Sequence, residues 1–364
     1  MIIVGSFKED ISIEKRISIT PETAKNIKNL GLEVYLEKNY AEHLGIPDEN
    51  YKNVKFFNDQ NDLIKNSDLL AQVNCPSIKL IENFKENSII LGILEPGKNQ
   101  EILKNILKKN INPFSLELLP RITRAQSMDV LSSQANLAGY RAVIESIYEF
   151  EKAIPMMMTA AGTVPAAKVL VIGAGVAGLQ AIATAKRLGA IVSATDVRAA
   201  SKEQVESLGG KFLTVEGSEN LETKGGYAKE AGEDFKKKQA DMLEKATSNS
   251  DIIICTALIP GKTAPRIISE KMIDGMKQGS VIFDLAVGQG GNSAYSEEDK
   301  VVLKKGVKII GVKNVMNKLP VTASSLYAKN IFSFIRNLYS KEKKQFVLNM
   351  EDEIIKNTLI KGNN

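Results

Sequence analysis

The sequence predicts an α/β protein with two doubly wound, mostly parallel sheets, and three observations lead to this prediction. Short apolar runs alternate with helical patterns over residues 1–118, as expected for βαβ units. A second alternating series starts at Lys168, and a glycine-rich turn follows its first apolar run. The length of 364 residues, with 43% hydrophobic and 25% charged residues, is typical of a soluble globular chain of two or three domains.

Composition argues against several classes of function. The net charge is +5, but lysines scattered among Asn and Glu supply most of the basic residues, which favours a solvated surface over a nucleic-acid or lipid site. With one histidine, His43, the chain cannot build a His–Cys zinc cluster. Cys75 and Cys255 both lie in apolar runs, so we expect reduced, buried thiols and no metal. The sequence shows neither a signal peptide nor a membrane-spanning stretch, so we expect a cytoplasmic protein.

The first half of the chain contains a clear helix start but no nucleotide motif. Thr20 followed by Pro21 is typical of an N-cap with proline at the first helical position. No glycine fingerprint follows any predicted strand of this half. We therefore expect a doubly wound domain without a nucleotide of its own.

Residues 120–129, called the polar loop below, break the periodicity before a long helix predicted over 130–152. Arg121 and Arg124 lie close to Gln126 and Asp129 in a chain with few arginines. This favours a planar, bidentate arginine–carboxylate pair that holds a polar surface. A solvated inter-domain loop is the alternative.

The second half begins with KVLVIGAGVAGLQ, a strand, a G-x-G-x-x-G turn and the start of a helix. Gly173 permits the tight turn, Gly175 lets a pyrophosphate approach the backbone, and Gly178 lets the helix pack on the strand. The free N–H groups of that helix would face the phosphates. We therefore expect this turn, including Ala174 and Val176, to bind a dinucleotide.

An acidic residue defines which dinucleotide is expected. Asp196 ends the next strand, 18 residues beyond Gly178. A carboxylate at this place accepts hydrogen bonds from the adenosine ribose and repels a 2′-phosphate, which favours NAD(H) over NADP(H). Arg198 is discordant, because a nearby arginine can accept a 2′-phosphate. We interpret it as a solvated or ion-paired side chain.

Three later features complete the second domain. The Gly-rich segment around Tyr227 is interpreted as a lid, with an ordinary surface excursion as the alternative. The predicted strands DIIICTAL and SVIFDLAV are followed by residues 259–262 and 288–291, where a doubly wound sheet places ligand-contacting loops. After the strand in VKIIGV, an amphipathic helix over 323–339 is expected to pack on the first domain.

The run from 120 to 198, together with ESLGGKF, GGYAKE, ALIPGK and DLAVGQGGN, closely resembles the soluble NAD(H)-binding component of proton-translocating NAD(P) transhydrogenases. The resemblance covers nearly the whole chain. It implies two Rossmann-like domains joined by long helices. Residues 1–130 with 320–364 would form the first, and residues 131–319 would form the second, which holds NAD(H). It also implies a homodimer.

The same resemblance implies roles for individual residues. Arg121, Gln126, Asp129 and Ser132 correspond to the family's polar loop around the nicotinamide. There Gln126 would orient the ring by its amide, and Arg121 and Asp129 would form a supporting pair. Tyr227 corresponds to the tip of a mobile loop that folds over bound nucleotide.

Further contacts to the dinucleotide are implied on the fingerprint helix, after the second strand and after DIIICTAL. These contacts fall at Gln180, Asp196, Val197, Arg198, Leu258 and Gly261. The sequence departs from the usual family pattern at Gly288-Gln289, where relatives often carry an acid, and at Met316, where many have proline.

The activity that the resemblance implies is that of a Si-specific/Re-specific, proton-translocating NAD(P)+ transhydrogenase. Hydride would pass directly between NADH on this chain and NADP+ on a partner subunit. Membrane subunits would translocate the protons and hold this chain at the inner membrane. Such a transfer requires two rings in near-attack geometry and no catalytic acid or base.

Two alternatives stay open. An alanine dehydrogenase shares the architecture but needs an arginine for the substrate carboxylate, a lysine and a histidine. Arg16 matches the arginine, whereas Asn74 stands at the lysine position and residues 91–95 contain no histidine. A non-catalytic NAD(H)-binding module is the other alternative, although it would not require the polar loop and the Gly-Gly-Tyr segment.

Overall fold

A computed structural model describes residues 1–198, 200–214, 233–258 and 262–362. The chain divides into two compact units, the first formed by Met1–Gln134 with Met316–Asn364 and the second by Ala135–Val315. Each unit is built around a mainly parallel sheet, which confirms the predicted fold class.

The described residues form the following strands and helices. The strands are β1 Ile3–Ser6, β2 Glu33–Glu37, β3 Lys55–Phe57, β4 Leu69–Asn74, β5 Ile89–Ile93, β6 Asn112–Ser115, β7 Met157–Thr159, β8 Gly162–Val164, β9 Lys168–Ile172, β10 Ile191–Thr195, β11 Lys211–Phe212, β12 Ile252–Cys255, β13 Val281–Asp284, β14 Lys300–Lys304, β15 Val307–Gly311, β16 Tyr339–Ser340 and β17 Gln345–Phe346. The helices are α1 Pro21–Asn29, α2 Gln60–Asn66, α3 Gln100–Lys108, α4 Val130–Glu149, α5 Val176–Arg187, α6 Ser201–Ser207, α7 Glu233–Asn249, α8 Glu270–Asp274, α9 Pro320–Leu338 and α10 Glu353–Thr358.

The sheet of the first unit has the doubly wound strand order β3-β2-β1-β4-β5-β6, and its strand pairs are parallel. Its central strand β4 is buried along nearly its whole length, as expected for a strand covered on both faces. The predicted start of α1 is confirmed, because the Thr20 side chain accepts a hydrogen bond from the Thr23 N–H. The strand order reverses between β1 and β4, where such sheets open a crevice.

Helix α9 belongs to the core of the first unit. Its residues Tyr327, Ile331 and Phe334 are fully buried in the main apolar cluster of this unit, and the Tyr327 hydroxyl donates to the Gln72 carbonyl at 2.8 Å. The helix begins at Pro320, three residues before the predicted start, because proline is well tolerated in a first turn. The returning C-terminal segment therefore completes the first unit.

The sheet of the second unit has the order β11-β10-β9-β12-β13-β15-β14. Strand β9 pairs in parallel with both β10 and β12, so the switch point lies beside the glycine turn that follows β9. Strand β14 runs antiparallel to β15 at the sheet edge, which was not predicted from the sequence. Its alternating apolar residues Val301 and Leu303 are exposed, so they do not show the pattern of buried apolar residues by which a strand is recognised.

A second unpredicted feature is the hairpin of β7 and β8, which lies between α4 and β9. The predicted strand over 211–215 is shorter, because β11 ends at Phe212 and residue 215 lies outside the described part. Among the helices that the structure describes, none combines the length and apolarity needed to cross a membrane.

Candidate functional site

The glycine turn after β9 is held by close backbone contacts. Gly173 has a φ of +94°, and its carbonyl accepts a hydrogen bond from Thr256 Oγ1 at 2.8 Å. A Cβ on Gly178 would lie 1.8 Å from that same carbonyl oxygen. Larger residues would therefore separate α5 from β9 and open the turn. Thr256, at the end of β12, was missed from the sequence, although its place after a strand of the predicted crevice could have indicated it.

Helix α5 presents its N-terminus at the switch point. Gly175 is its N-cap residue, and within the described structure no side chain caps the free N–H groups of its first turn. A Cβ on Gly175 would meet only Arg198 Nη2, at 3.9 Å, so this backbone is open to an approaching group. Ala174 is buried and Val176 is exposed. Free amides beside open backbone suit a phosphate.

Helix α4 supports the first turn of α5. A Cβ on Gly139 would lie 1.9 Å from the Ala177 carbonyl oxygen, so the two helices touch through their backbones. The side chain of Asn136 donates to Gln180 Oε1 at 3.2 Å, and Gln180 Nε2 lies 3.1 Å from Thr184 Oγ1. Gln180 is thus ordered by neighbouring helix residues. Gly139 was not singled out from the sequence.

Asp196 lies beside the glycine turn and is fully engaged. Its Oδ2 accepts from the Ala174 N–H at 2.6 Å and from Arg198 Nη2 at 2.8 Å. Its Oδ1 accepts from the Arg198 N–H and from Arg198 Nε, both at 2.9 Å. Burial alone would raise the pKa of the Asp196 carboxyl, but the hydrogen bonds and charge of Arg198 hold it below its ordinary value. Arg198 is therefore ion-paired, one of the two states expected for it.

The loop after β12 is fixed by an asparagine. Asn292 is fully buried; its Oδ1 accepts from the Ala257 N–H at 3.0 Å, and its Nδ2 donates to the Ala257 and Pro265 carbonyls, both at 2.9 Å. Leu258, in this loop, is partly exposed, while Gly261 lies outside the described residues. Asn292 was also missed, although a polar residue directly after Gly290-Gly291 could have indicated it.

The polar loop is a short 3₁₀ helix, Thr123–Met128, anchored on both sides. Ala125 and Met128 are buried, whereas Gln126 is exposed between them. The Ser127 carbonyl accepts from Asn330 Nδ2 of α9 at 2.9 Å. These contacts of its neighbours thus keep Gln126 at the surface.

The ends of this loop are held by carboxylates. Asp129 Oδ1 accepts from the Ser132 N–H at 2.9 Å, and Oδ2 accepts from the Ser132 hydroxyl at 2.5 Å, so Asp129 orders the start of α4. Arg124 makes the bidentate pair expected in this segment, but its partner is Asp352. Arg121 is exposed, and its pairing with Asp129 stays a prediction.

The remaining predicted site residues are placed as follows. Val197 is half-buried beside Asp196. Tyr227 and the Gly-Gly segment before it lie outside the described residues. Gln289, which stands in one of the positions where the sequence departs from the family pattern, has a buried Oε1 that meets no hydrogen-bond partner in the described part of the chain.

The arginine that an alanine dehydrogenase would use is already occupied. Arg16 donates from Nε to Glu14 Oε1 at 2.9 Å and from Nη2 to Glu14 Oε2 at 2.7 Å. Its Nη1 donates to Gln134 Oε1 at 3.0 Å. Both Arg16 and Glu14 are buried. An internal carboxylate therefore stands where a substrate carboxylate would have to bind.

The two doubly wound sheets, with a glycine turn at the switch point of the second and an acid after its neighbouring strand, define a protein of the Rossmann-type dehydrogenase class. The comparison with family models agrees. The model described as "Alanine dehydrogenase/PNT, N-terminal domain" matches residues 5–138, and "Alanine dehydrogenase/PNT, C-terminal domain" matches residues 142–363. The chain belongs to the alanine dehydrogenase/PNT family.

Within this family the chain is highly similar to transhydrogenase subunits. It is 49% identical over 356 residues to an NAD(P) transhydrogenase alpha-subunit polypeptide of Rhodospirillum rubrum, and the match covers 95% of this chain and 93% of that protein. A solved transhydrogenase from Sinorhizobium meliloti has 45% identity and a TM-score of 0.89, covering 98% of this chain and 97% of that one. An L-alanine dehydrogenase structure shares the fold, with a TM-score of 0.82 at 20% identity, covering 98% and 94% of the two chains.

Proposed function

We propose that this chain is the NAD(H)-binding component of a proton-translocating NAD(P) transhydrogenase of the Si-specific/Re-specific type. NADP(H) is bound by a partner subunit, and hydride passes directly between the two nicotinamides. Membrane subunits couple this transfer to proton translocation and hold the chain at the inner membrane. The observation that carries the proposal is an exposed amide, Gln126, on a loop whose neighbouring residues Ala125 and Met128 are buried and whose Ser127 carbonyl is held by Asn330.

The residues of the glycine turn fit a dinucleotide. The α5 N-terminus offers free N–H groups to the pyrophosphate, and the open backbone at Gly175 lets it approach. Asp196 would accept hydrogen bonds from the adenosine ribose. The bound nicotinamide would supply or accept the hydride, while the polar loop with Gln126 would orient the ring and Tyr227 would cover it. Positioning of this kind is the protein's whole contribution to a direct hydride transfer.

A homodimer is part of the proposal. Met157 and Met158 of β7 are exposed, Met158 at 81%, and Met156 directly before the strand is 63% exposed. Large apolar side chains grouped at a surface favour association with another chain. Sedimentation of the purified chain tests this, and a monomer at micromolar concentration would contradict it.

The alanine dehydrogenase alternative is disfavoured by the Arg16–Glu14 pair. A substrate carboxylate would have to displace a buried, bidentate partner, and removing one partner of such a pair costs about 3–5 kcal/mol. The other alternative, a non-catalytic NAD(H)-binding module, gives no reason for an exposed amide on an anchored surface loop. Alanine-dependent reduction of NAD+ by the chain alone would favour the dehydrogenase.

Two measurements test the proposed function. The chain should bind NADH with a change in nicotinamide fluorescence and bind NADPH much more weakly; equal affinities would refute the role of Asp196. When mixed with an NADP(H)-binding partner domain, it should exchange hydride between NADH and an oxidised NADP analogue. Gln126→Asn should slow this exchange and leave NADH affinity nearly unchanged, because a shorter amide loses orientation more than binding. Unchanged exchange would remove that role.

A further inference from the structure

Asp196, the acid proposed to select NAD(H), already accepts hydrogen bonds within the chain in this structure. A carboxylate offers about four lone-pair sites, and Asp196 accepts four hydrogen bonds, two from backbone N–H groups of Ala174 and Arg198 and two from the Arg198 guanidinium. A ribose hydroxyl therefore needs an acceptor site that is already used. Since the two backbone N–H donors are fixed, the Arg198 guanidinium is the donor that a ribose hydroxyl can displace from Asp196.

The guanidinium also lies on the side from which a dinucleotide approaches. Arg198 Nη2 would be 3.9 Å from a Cβ on Gly175, and its side chain is 18% exposed compared with 6% for Asp196. It thus borders both the open backbone of the turn and the oxygens that the ribose would meet. An arginine in this place suits a 2′-phosphate by geometry and charge.

We infer that Asp196, by pairing with Arg198, prevents this arginine from binding a 2′-phosphate, although the arginine is placed where it could do so. This rests on the proposed function and names what sets its cofactor choice. NADPH is rejected in two ways, because Asp196 repels the phosphate and because it occupies the guanidinium that would receive it. Replacing Asp196 alone should therefore turn Arg198 toward the 2′-phosphate.

The test compares four proteins: the native chain, Asp196→Asn, Arg198→Gln and the double variant. Asparagine keeps an oxygen for the Ala174 N–H but loses the charge that holds Arg198. We expect Asp196→Asn to bind NADPH at least about tenfold more tightly than the native chain does and NADH more weakly. In the double variant this gain should vanish. A gain of equal size in the double variant would overturn the inference, because loss of repulsion alone would then explain it. No gain in Asp196→Asn would overturn it as well.

Two controls make the outcome specific. Arg187→Gln on the Asp196→Asn background removes an exposed positive charge from the end of α5 and should leave the gain intact. Adenosine 2′,5′-bisphosphate should show the same gain as NADPH, while 5′-AMP should not. If Asp196→Asn does not fold, as its melting profile would show, Asp196→Ser alone and Asp196→Ser combined with Arg198→Gln give the same comparison.

Failure of the proposed function is distinguishable from failure of this inference. The former appears in the native chain, as equal affinities for NADH and NADPH or as absent hydride exchange. The latter appears only in the comparison of Asp196→Asn with the double variant, which the adenosine nucleotides report without a nicotinamide.

Discussion

Gly139→Ala is expected to destabilise the second unit although it places a better helix former inside α4. Alanine in a helix interior is favoured over glycine by about 1 kcal/mol. At Gly139, however, the new Cβ would lie 1.9 Å from the Ala177 carbonyl oxygen and 2.7 Å from its carbon. Real Cβ contacts essentially never fall below 3.0 Å, so α4 and α5 must part by about 1 Å in a close-packed interior.

The size of the effect follows from these two terms. Overpacking that shifts backbone costs about 1–3 kcal/mol, and the obstacle here is a carbonyl, which cannot rotate aside. Because the carbonyl cannot move away, the upper part of this range, about 2–3 kcal/mol, applies; after subtraction of the gain in helix propensity of about 1 kcal/mol, a net loss of roughly 1–2 kcal/mol remains. For a unit of this size each kcal/mol lowers Tm by about 2–4 °C. We expect a Tm lower by roughly 2–8 °C, and weaker NADH binding because Ala177 lies in the first turn of α5.

Thermal unfolding followed by circular dichroism, with NADH titrations on the same samples, provides the measurement. Gly275→Ala is the matched control, because a Cβ there would meet its nearest atom at 3.6 Å, an ordinary contact. The Tm of Gly275→Ala should stay close to that of the native chain, as for a substitution at the surface that changes no contact. A Gly139→Ala protein with a Tm at or above the native value would refute the steric reasoning.

Two other variants test separate parts of the first unit. Asn330→Asp keeps an oxygen for the Ser133 hydroxyl but loses the donor to the Ser127 carbonyl. Hydride exchange in the mixed assay should fall several-fold at unchanged NADH affinity, since orientation errors of about 1 Å can cost up to about 100-fold. A loss confined to NADH affinity would contradict this prediction. Burial raises the pKa of Glu9 from 4.5 to about 7, so the unfolded chain releases this proton first and stability falls as pH rises between those values. Glu9→Gln should flatten the dependence of Tm on pH between 5 and 7, and the variant should unfold at a higher temperature than the native chain at pH 8. Parallel curves of Tm against pH for the two proteins would show that the Glu9 proton is not involved.

The features that could be predicted from the sequence are those set by local chemistry. The cap at Thr20 depends on residues within one helical turn. The fold class follows from the alternation of apolar runs. Ion pairing of Arg198 could be expected because an acid, Asp196, lies two residues before it. In each case the partners are close in sequence, so a pattern can reveal them.

Most features that could not be predicted from the sequence depend on partners far along the chain. A bidentate arginine was expected in the polar loop, but its carboxylate, Asp352, lies 228 residues after Arg124. Strand β14 turns only Val302 toward the core and exposes Val301 and Leu303, so its pattern gives little reason for a strand. Gly139 is different, because an isolated glycine within a helical pattern is itself a signal of close packing, and only its contact with Ala177 had to come from the structure.

The return of the C-terminal segment to the first unit has a consequence for synthesis on the ribosome. Residues 135–315 form one continuous stretch, so the second unit can fold as soon as its last strand emerges. The first unit is translated earlier but is completed later, because α9 supplies Tyr327, Ile331 and Phe334 to its core. Until those residues leave the exit tunnel, the N-terminal sheet keeps an uncovered apolar face, the kind of nascent surface that chaperones bind.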